Sequence, residues 1–309
     1  VKDGVDRKTG LPIRSLFAKG QRGPKPGHLE GLDALVFDIQ DIGCRFYTYI
    51  STMGLCMEAA AAAGIKFFVL DRANPIGGLV VDGPVRAGEE SFTAFHDIPV
   101  RHGMTVGELA QLFRAERCPD LQLEIVPLKG WKRGMLFGET GIGWVNPSPN
   151  IRNLNQALIY PGVGMLEFTN LSVGRGTVAP FELVGAPYID PEALAGELRA
   201  ARLAGFYFVP VSFEPESSVF KGDRCGGVKI LVTDPDRCDS VALGIALGIA
   251  LARVYPDDWE TQNLDKLLAH PPSAAGIVGG KSMAEIRKGW EPELSRFLER
   301  REKALLYPN

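Results

Sequence analysis

A chain of 309 residues has the length of about two ordinary domains, enough to bury sizeable cores. Its hydrophobic share of 45% and charged share of 23% are those of a globular protein and exclude disorder over most of the length. The net charge of −3 supplies no strong field for nucleic acid or acidic lipid, so no nucleic-acid partner is expected. Among apolar runs, Val241–Ala252 is the longest at 12 residues, whereas a bilayer span needs about 20. It predicts a buried helix, and no membrane span is expected. Five cysteines (Cys44, Cys56, Cys118, Cys225, Cys238) form no CxxC pair, which points to buried free thiols rather than to a disulfide framework or a zinc site. Val1–Lys8 is charged and does not read as a signal peptide, and the opening valine is expected to reflect a start lost to processing or truncation.

Residues 1–31 are rich in Gly, Pro and basic side chains and read as loops with one short strand near Ile13–Phe17. Ala34–Phe37 is a short apolar run that predicts a buried strand. A helical stripe follows at Phe46, Ile50, Met53, Met57 and Ala60, with Gly64 placed to end it. Lys66–Leu70 predicts a second buried strand, and the unit has the length of a right-handed parallel crossover. Thr105 and Glu108 form a capping box that opens a second helix, and Leu121–Val126 alternates as a third strand. The Gly- and Pro-rich stretch 129–155 is the expected boundary, giving domains 1–150 and 151–309. In the second, Asp190-Pro191 starts a helix running to about Leu203, and Gly205 follows it. Phe206–Phe213 and Val228–Thr233 predict strands, and Val241–Val254 a helix. Residues 283–304 read as one solvated helix anchored by Ile286, Leu294, Phe297 and Leu298. The fold class is α/β, with a mixed α/β or α+β second half.

Asp38 and Asp71 each follow a predicted parallel strand, which puts both at the carboxyl edge of one sheet, where open α/β sheets bind ligands. Gln40, Asp41, Arg45, Arg72 and Asn74 surround them. Acidic and amide groups together suit sugar hydroxyls, a metal or acid–base work, or else simple pairing of Asp38 and Asp71 with Arg45 and Arg72. A second candidate runs from Glu167 and Asn170 to Gly174-Arg175-Gly176-Thr177, whose amides and guanidinium could hold an anion. Trp144-Val-Asn-Pro-Ser-Pro-Asn150 offers a Trp platform and a stiffened Asn150, or else a rigid linker. His102, ahead of a helix start, is a further candidate. Glu108 reads as a cap. The histidines lack zinc spacing, there is no GxSxG elbow or P-loop, and Glu167 stands where a GxGxxG motif starting at Gly162 needs Gly or Ala. No metal or nucleotide cofactor is expected.

In order along the chain come Phe37-Asp-Ile-Gln-Asp-Ile-Gly43, Arg45-Phe-Tyr-Thr-Tyr49, Leu70-Asp-Arg-Ala-Asn-Pro75, Arg101–Ala110, Pro147-Ser-Pro-Asn150, Tyr160-Pro-Gly162, Thr169-Asn-Leu-Ser172 and Gly174-Arg-Gly-Thr177. This series resembles the bacterial exo-β-N-acetylmuramidases, a glycoside hydrolase family long known only as a domain of unknown function, over essentially the whole chain. The resemblance implies a Rossmann-like N-terminal domain and a smaller C-terminal one with the active site between them. It implies no cofactor and a periplasmic or extracellular place in cell-wall turnover. The implied reaction is hydrolysis of the terminal non-reducing β-1,4 bond between N-acetylmuramic acid and N-acetylglucosamine in peptidoglycan fragments. Family members usually carry a Pro-Glu-His-Gly motif upstream of the part matching Val1–Leu11, and its glutamate is a rival for a catalytic role. Ala73 stands where the family often has Pro, and Val173 where it often has Glu.

Glycoside hydrolysis needs an acid at the leaving oxygen and a second base or nucleophile. On the resemblance, Glu167 from one lobe and Asp38 or Asp41 from the other are expected to face each other across the cleft. Arg175 would take the lactyl carboxylate. Gln40, Arg45, Asp71, Arg72, Asn74, His102, Asn150 and Asn170 complete the expected substrate-binding set. Two other outcomes are a non-catalytic muropeptide-binding protein and a metal-dependent hydrolase built on Asp38, Asp41 and Asp71.

Overall fold

The computed structural model describes residues 2–17, 20 and 22–309. Strands β1 (Gly4–Val5) and β2 (Pro12–Ile13) form a small antiparallel pair, shorter than the strand expected up to Phe17, and α1 (Pro26–Leu29) leads into the first sheet. That sheet is β3 (Ala34–Phe37), β4 (Lys66–Leu70) and β7 (Leu123–Val126), all parallel and in chain order. Between them run α2 (Tyr49–Ala63), the antiparallel pair β5 (Asp82–Val85) and β6 (Pro99–Arg101), and α3 (Val106–Arg117). Helix α2 ends at Gly64, whose φ of 69° is the left-handed conformation that closes a helix without a Cβ penalty. It begins at Tyr49 rather than Phe46, because Cys44 bridges to Arg101 and the residues between turn. Thr105 and Glu108 close the predicted capping box at α3.

The second half opens with α4 (Leu154–Val163), then β8 (Leu183–Ala186), α5 (Pro191–Ala200), β9 (Phe206–Phe213), β10 (Cys225–Val232) and α6 (Ser240–Val254). The three strands make an antiparallel sheet in the order β8-β10-β9. Asp190 caps α5 as expected, and α5 stops at Ala200, before Leu203. Helix α6 is the apolar run, buried along most of its length. It crosses α4 at contact distance: a Cβ on Gly162 would lie 2.0 Å from the Ser240 carbonyl oxygen, so only glycine permits the crossing. Helices α7 (Asp265–Leu268), α8 (Pro271–Val278), α9 (Met283–Lys288) and α10 (Glu291–Glu302) complete the chain. The single helix expected over 283–304 is therefore two, broken at Gly289-Trp290, because the buried Trp290 anchors the turn between them. Leu298 is exposed rather than an anchor, whereas Ile286 and Phe297 are buried.

Two cores result, and they interlock along the chain. One joins α2, β3, β4 and α3, and it also takes Phe297 and Ala304 from the C-terminus. The other gathers the second half, and it also takes Ile42, Cys44, Phe46 and Tyr47 from the first. Helix α10 is tied back by Arg300, which pairs with Glu116 at 2.6 Å, while His96 Nε2 contacts the same carboxylate at 2.5 Å. Burial opposes ionisation of Glu116, but hydrogen bonds and charge from Arg300 and His96 outweigh it and hold the carboxyl at about 2, below its ordinary 4.5. A lowered folded value stabilises fully above the unfolded value and fades as pH falls through the folded one. Glu116→Gln is expected to cost about 1 kcal/mol at neutral pH, discounted for solvent screening. Thermal melts of the two proteins at stepped pH should converge between pH 4.5 and about 2; a gap that survives at pH 2 would contradict this.

Candidate active site

Two cavities flank the loop 144–150. The larger, about 550 Å³, lies at the carboxyl edge of the parallel sheet, lined by Asp38, Gln40, Asp71, Arg72, Phe137 and Trp144 among others. The second, about 360 Å³, is lined by Phe46, Tyr47, Tyr49, Asn150, Tyr160, Glu167, Phe168 and Arg175 among others. The Tyr49 hydroxyl donates to the Pro147 carbonyl at 3.0 Å and pins the shared wall.

At the sheet edge, the expected acidic pair divides. Asp38 is half exposed and pairs with Arg72, Nη2 to Oδ1 at 2.6 Å and Nε to the same oxygen at 2.9 Å. Asp71 is buried, and both of its oxygens are committed. Oδ1 accepts from the Arg72 and Gly107 amides at 2.8 and 2.7 Å. Oδ2 accepts from the Thr105 hydroxyl at 2.8 Å and from Tyr307. Burial pushes its carboxyl up against those hydrogen bonds. Asp71 is thus a keystone that joins α3 to the C-terminal tail. Gln40 donates from Nε2 to the carbonyls of Asp41 and Ala73 at 2.7 and 2.9 Å, and it remains at the cavity wall.

Several expected site residues turn inward instead. Asp41 is buried; its Oδ2 accepts the Gly43 amide at 2.7 Å and faces His102 Nε2 at 3.3 Å. His102 is fully buried, and its Nδ1 accepts from the Met104 amide at 3.2 Å. Asn74 is a turn residue, donating to the Met104 carbonyl and accepting the Ile76 amide. Arg45 does not reach either cavity. Its guanidinium donates to the carbonyls of Pro84, Ile98, Leu267 and Leu268, and burial lowers it to about 10. Asn170 braces the far loop through the Asp258 carbonyl and the Glu260 amide. Asp41, His102, Asn74 and Arg45 are thus spent on backbone groups that would otherwise be orphaned by burial, whereas Asn170 ties down an exposed loop. Asp38 and Asp71 therefore line the larger cavity without Asp41, and no metal-holding cluster of His, Cys, Asp and Glu occurs among the described residues.

In the second cavity two of the candidate residues, Glu167 and Arg175, pair with each other. Glu167 follows the short 3-10 helix Gly164–Leu166 that extends α4; Met165 and Leu166 are buried while Glu167 lines the cavity. Arg175 Nε lies 2.5 Å from Glu167 Oε1, and Nη2 donates to Oε2 at 3.2 Å. Arg175 projects from a tight turn in which Gly174 and Gly176 have φ of 76° and 81°. Of the amides of that turn, Gly174 and Thr177 spend theirs on the Ser172 hydroxyl and the Gly174 carbonyl. Nη1 of Arg175 makes no hydrogen bond among the described residues, and the guanidinium lies over Phe181 at 5.1 Å. Asn150 lines the same cavity. Glu167 and Asp38 thus occupy different cavities, each in its own ion pair, rather than facing across one. The sequence reading missed Tyr47, Tyr49 and Tyr160 as cavity walls. They stood within quoted motifs, but only folding brings 46–49 beside 160–175.

Fold and site together define a mixed α/β protein with a carboxylate–guanidinium pair in each of two cavities beside a Pro-stiffened loop. The family models described as exo-beta-N-acetylmuramidase NamZ match it end to end, the N-terminal one over residues 1–155 and the C-terminal one over 158–307. The chain belongs to this family. It is 43% identical over 307 residues to the peptidoglycan beta-N-acetylmuramidase NamZ of Bacillus subtilis, covering 98% of this chain and 74% of that protein. Among solved structures, a DUF1343 family protein from Bacteroides fragilis matches with a TM-score of 0.91 at 35% identity, covering 98% of this chain and 82% of the other. A second DUF1343 family protein of the same organism matches with a TM-score of 0.79 at 29% identity, covering 99% and 82%.

Proposed function

We propose that this chain is a glycoside hydrolase that releases terminal non-reducing N-acetylmuramic acid from peptidoglycan fragments by cleaving its β-1,4 bond. The observation that carries this is the match of both halves to the muramidase family, with 43% identity to the B. subtilis enzyme across 98% of the chain. In this reading the terminal sugar occupies the Glu167 cavity, whose volume falls in the range of small-molecule sites, about 300–1,000 Å³. Glu167 presents its charge to the oxocarbenium-like state. Arg175, already paired to Glu167, offers Nη1 to the lactyl carboxylate, and Asn150 reads a polar substituent of the ring. The next sugar extends toward the sheet-edge cavity, where Gln40 and Arg72 meet hydroxyls and Trp144 offers a face. Asp38 is the exposed carboxylate on that side and the candidate acid. The division into lobes near residue 150 and a periplasmic or extracellular setting belong to the same reading. Among the described residues no helix is long and apolar enough to cross a membrane.

The test is release of the chromophore from a chromogenic N-acetylmuramide by the full-length protein. Binding without product would favour a muropeptide-binding module, and loss of activity to a chelator would favour metal-dependent hydrolysis. Arg175→Ala is expected to lower kcat/KM on muramyl substrates by about 10- to 100-fold more than on glucosaminyl ones, the worth of a charge-assisted hydrogen bond. Both should lose some activity because Glu167 is freed, so the ratio is the reading; equal losses would remove the lactyl anchor.

A further inference from the structure

Tyr160 lines the Glu167 cavity, yet only 5% of it is exposed. Its ring is held by three others, with centroids 4.7 Å from Phe181, 5.3 Å from Phe46 and 5.9 Å from Tyr47. Gly164 keeps the space open: a Cβ there would lie 2.8 Å from the Phe46 ring and 3.3 Å from that of Tyr160. The ring therefore has no freedom to swing toward another partner. Tyr49, Tyr188, Tyr255 and Tyr307 all place their hydroxyls on an acceptor of the protein. The Tyr160 hydroxyl makes no hydrogen bond among the described residues. Its oxygen is not sealed off like the equally unpaired Tyr47 hydroxyl, so it opens onto the cavity. Burial above all, then the charges of Cys44 and Glu167, pushes the phenol well up, so it holds its proton and acts as a donor.

We propose that the Tyr160 hydroxyl is a specificity-determining contact that donates to the carbonyl of the substrate's 2-acetamido group. The proposal rests on the reading of this cavity as the sugar site. The guanidinium of Arg175 is the match for an anionic lactyl group, and the Tyr160 hydroxyl, a neutral donor with no internal partner, is the match for a neutral acceptor. Of the neutral groups on N-acetylmuramic acid, the amide carbonyl is the strongest acceptor. Its N–H is a donor, and the Glu167 carboxylate lining the same cavity can receive it.

The experiment measures calorimetric Kd values on the full-length protein for N-acetylmuramic acid and for 3-O-carboxyethylglucose, which keeps the lactyl group and lacks the acetamide. Tyr160→Phe should weaken N-acetylmuramic acid about tenfold and leave the analogue within about twofold, the loss of one hydrogen bond. Its Tm should be no lower than the parent's, because no internal hydrogen bond is removed. Arg175→Ala should weaken both ligands. If Tyr160→Phe binds N-acetylmuramic acid as tightly as the parent while Arg175→Ala weakens both, the Tyr160 contact is wrong and the cavity reading stands. Equal weakening of both ligands by Tyr160→Phe would overturn the acetamide assignment. If Arg175→Ala changes neither ligand, the cavity is not the sugar site and the proposal falls with it.

Discussion

Glu167→Gln is expected to lower turnover of N-acetylmuramides by about 10²- to 10⁴-fold, the range for removal of a catalytic carboxylate. The amide keeps the shape of the carboxylate and removes its charge, so the cavity walls should stay in place. The ion pair with Arg175 is lost, but it lies at a partly exposed surface and contributes little to stability. An unchanged Tm within a few degrees, with KM moving far less than kcat, is the signature of charge needed in the transition state rather than in binding. Steady-state kinetics on the full-length protein decides it. Near-normal release of N-acetylmuramic acid by Glu167→Gln would move the chemistry away from this cavity and leave Asp38, paired with Arg72 in the other one, as the candidate carboxylate.

Arg133→Ala is expected to destabilise the protein by about 3–5 kcal/mol, read by urea denaturation, because it strands a buried charge. Arg133 and Glu108 are an ion pair with side chains 1% and 0% exposed. Arg133 also donates to the Gly103 and Tyr307 carbonyls, at 3.2 Å in each case. Glu108 in turn accepts the amides of Thr105 and Leu306 at 3.0 and 2.9 Å. One buried pair therefore joins the start of α3, the 129–136 loop and the C-terminal tail. Replacing both partners by apolar side chains (Arg133→Met with Glu108→Leu) should recover much of the loss, although the capping amide of Thr105 stays orphaned. A loss below about 1 kcal/mol for Arg133→Ala would mean that water reaches the pair. Tyr307 also donates to Asp71 at the wall of the sheet-edge cavity, so this variant should disturb that cavity more than the Glu167 one.

The capping box at Thr105 and Glu108 shows how far the sequence reaches. Its spacing fixed the start of α3, since the contact is three residues long, but nothing local showed that the same carboxylate is the buried partner of Arg133. Asp71 followed its strand as read, and the sheet did put it at a cavity wall. That it is fully hydrogen-bonded depended on Thr105, Gly107 and Tyr307, which come from two other elements. Arg45 and Asn74 have the chemistry of ligand-binding groups, and their duties to distant carbonyls were set by packing. Asp38 was legible as a strand-end carboxylate, with Arg72 among its possible partners, yet its separation from Glu167 by the 144–150 loop was not.

Periodicity, caps and strand-length apolar runs are encoded within a few residues, so the parallel strands, α3, the start of α5, β9 and α6 could be read directly, and the ordered motifs carried the family. Whether Asn74 and Arg45 face a cavity or satisfy buried backbone groups is settled by carbonyls as far as 30 and 222 positions away. Desolvation makes that second duty compulsory, and only the closed tertiary structure shows which side chains it claims.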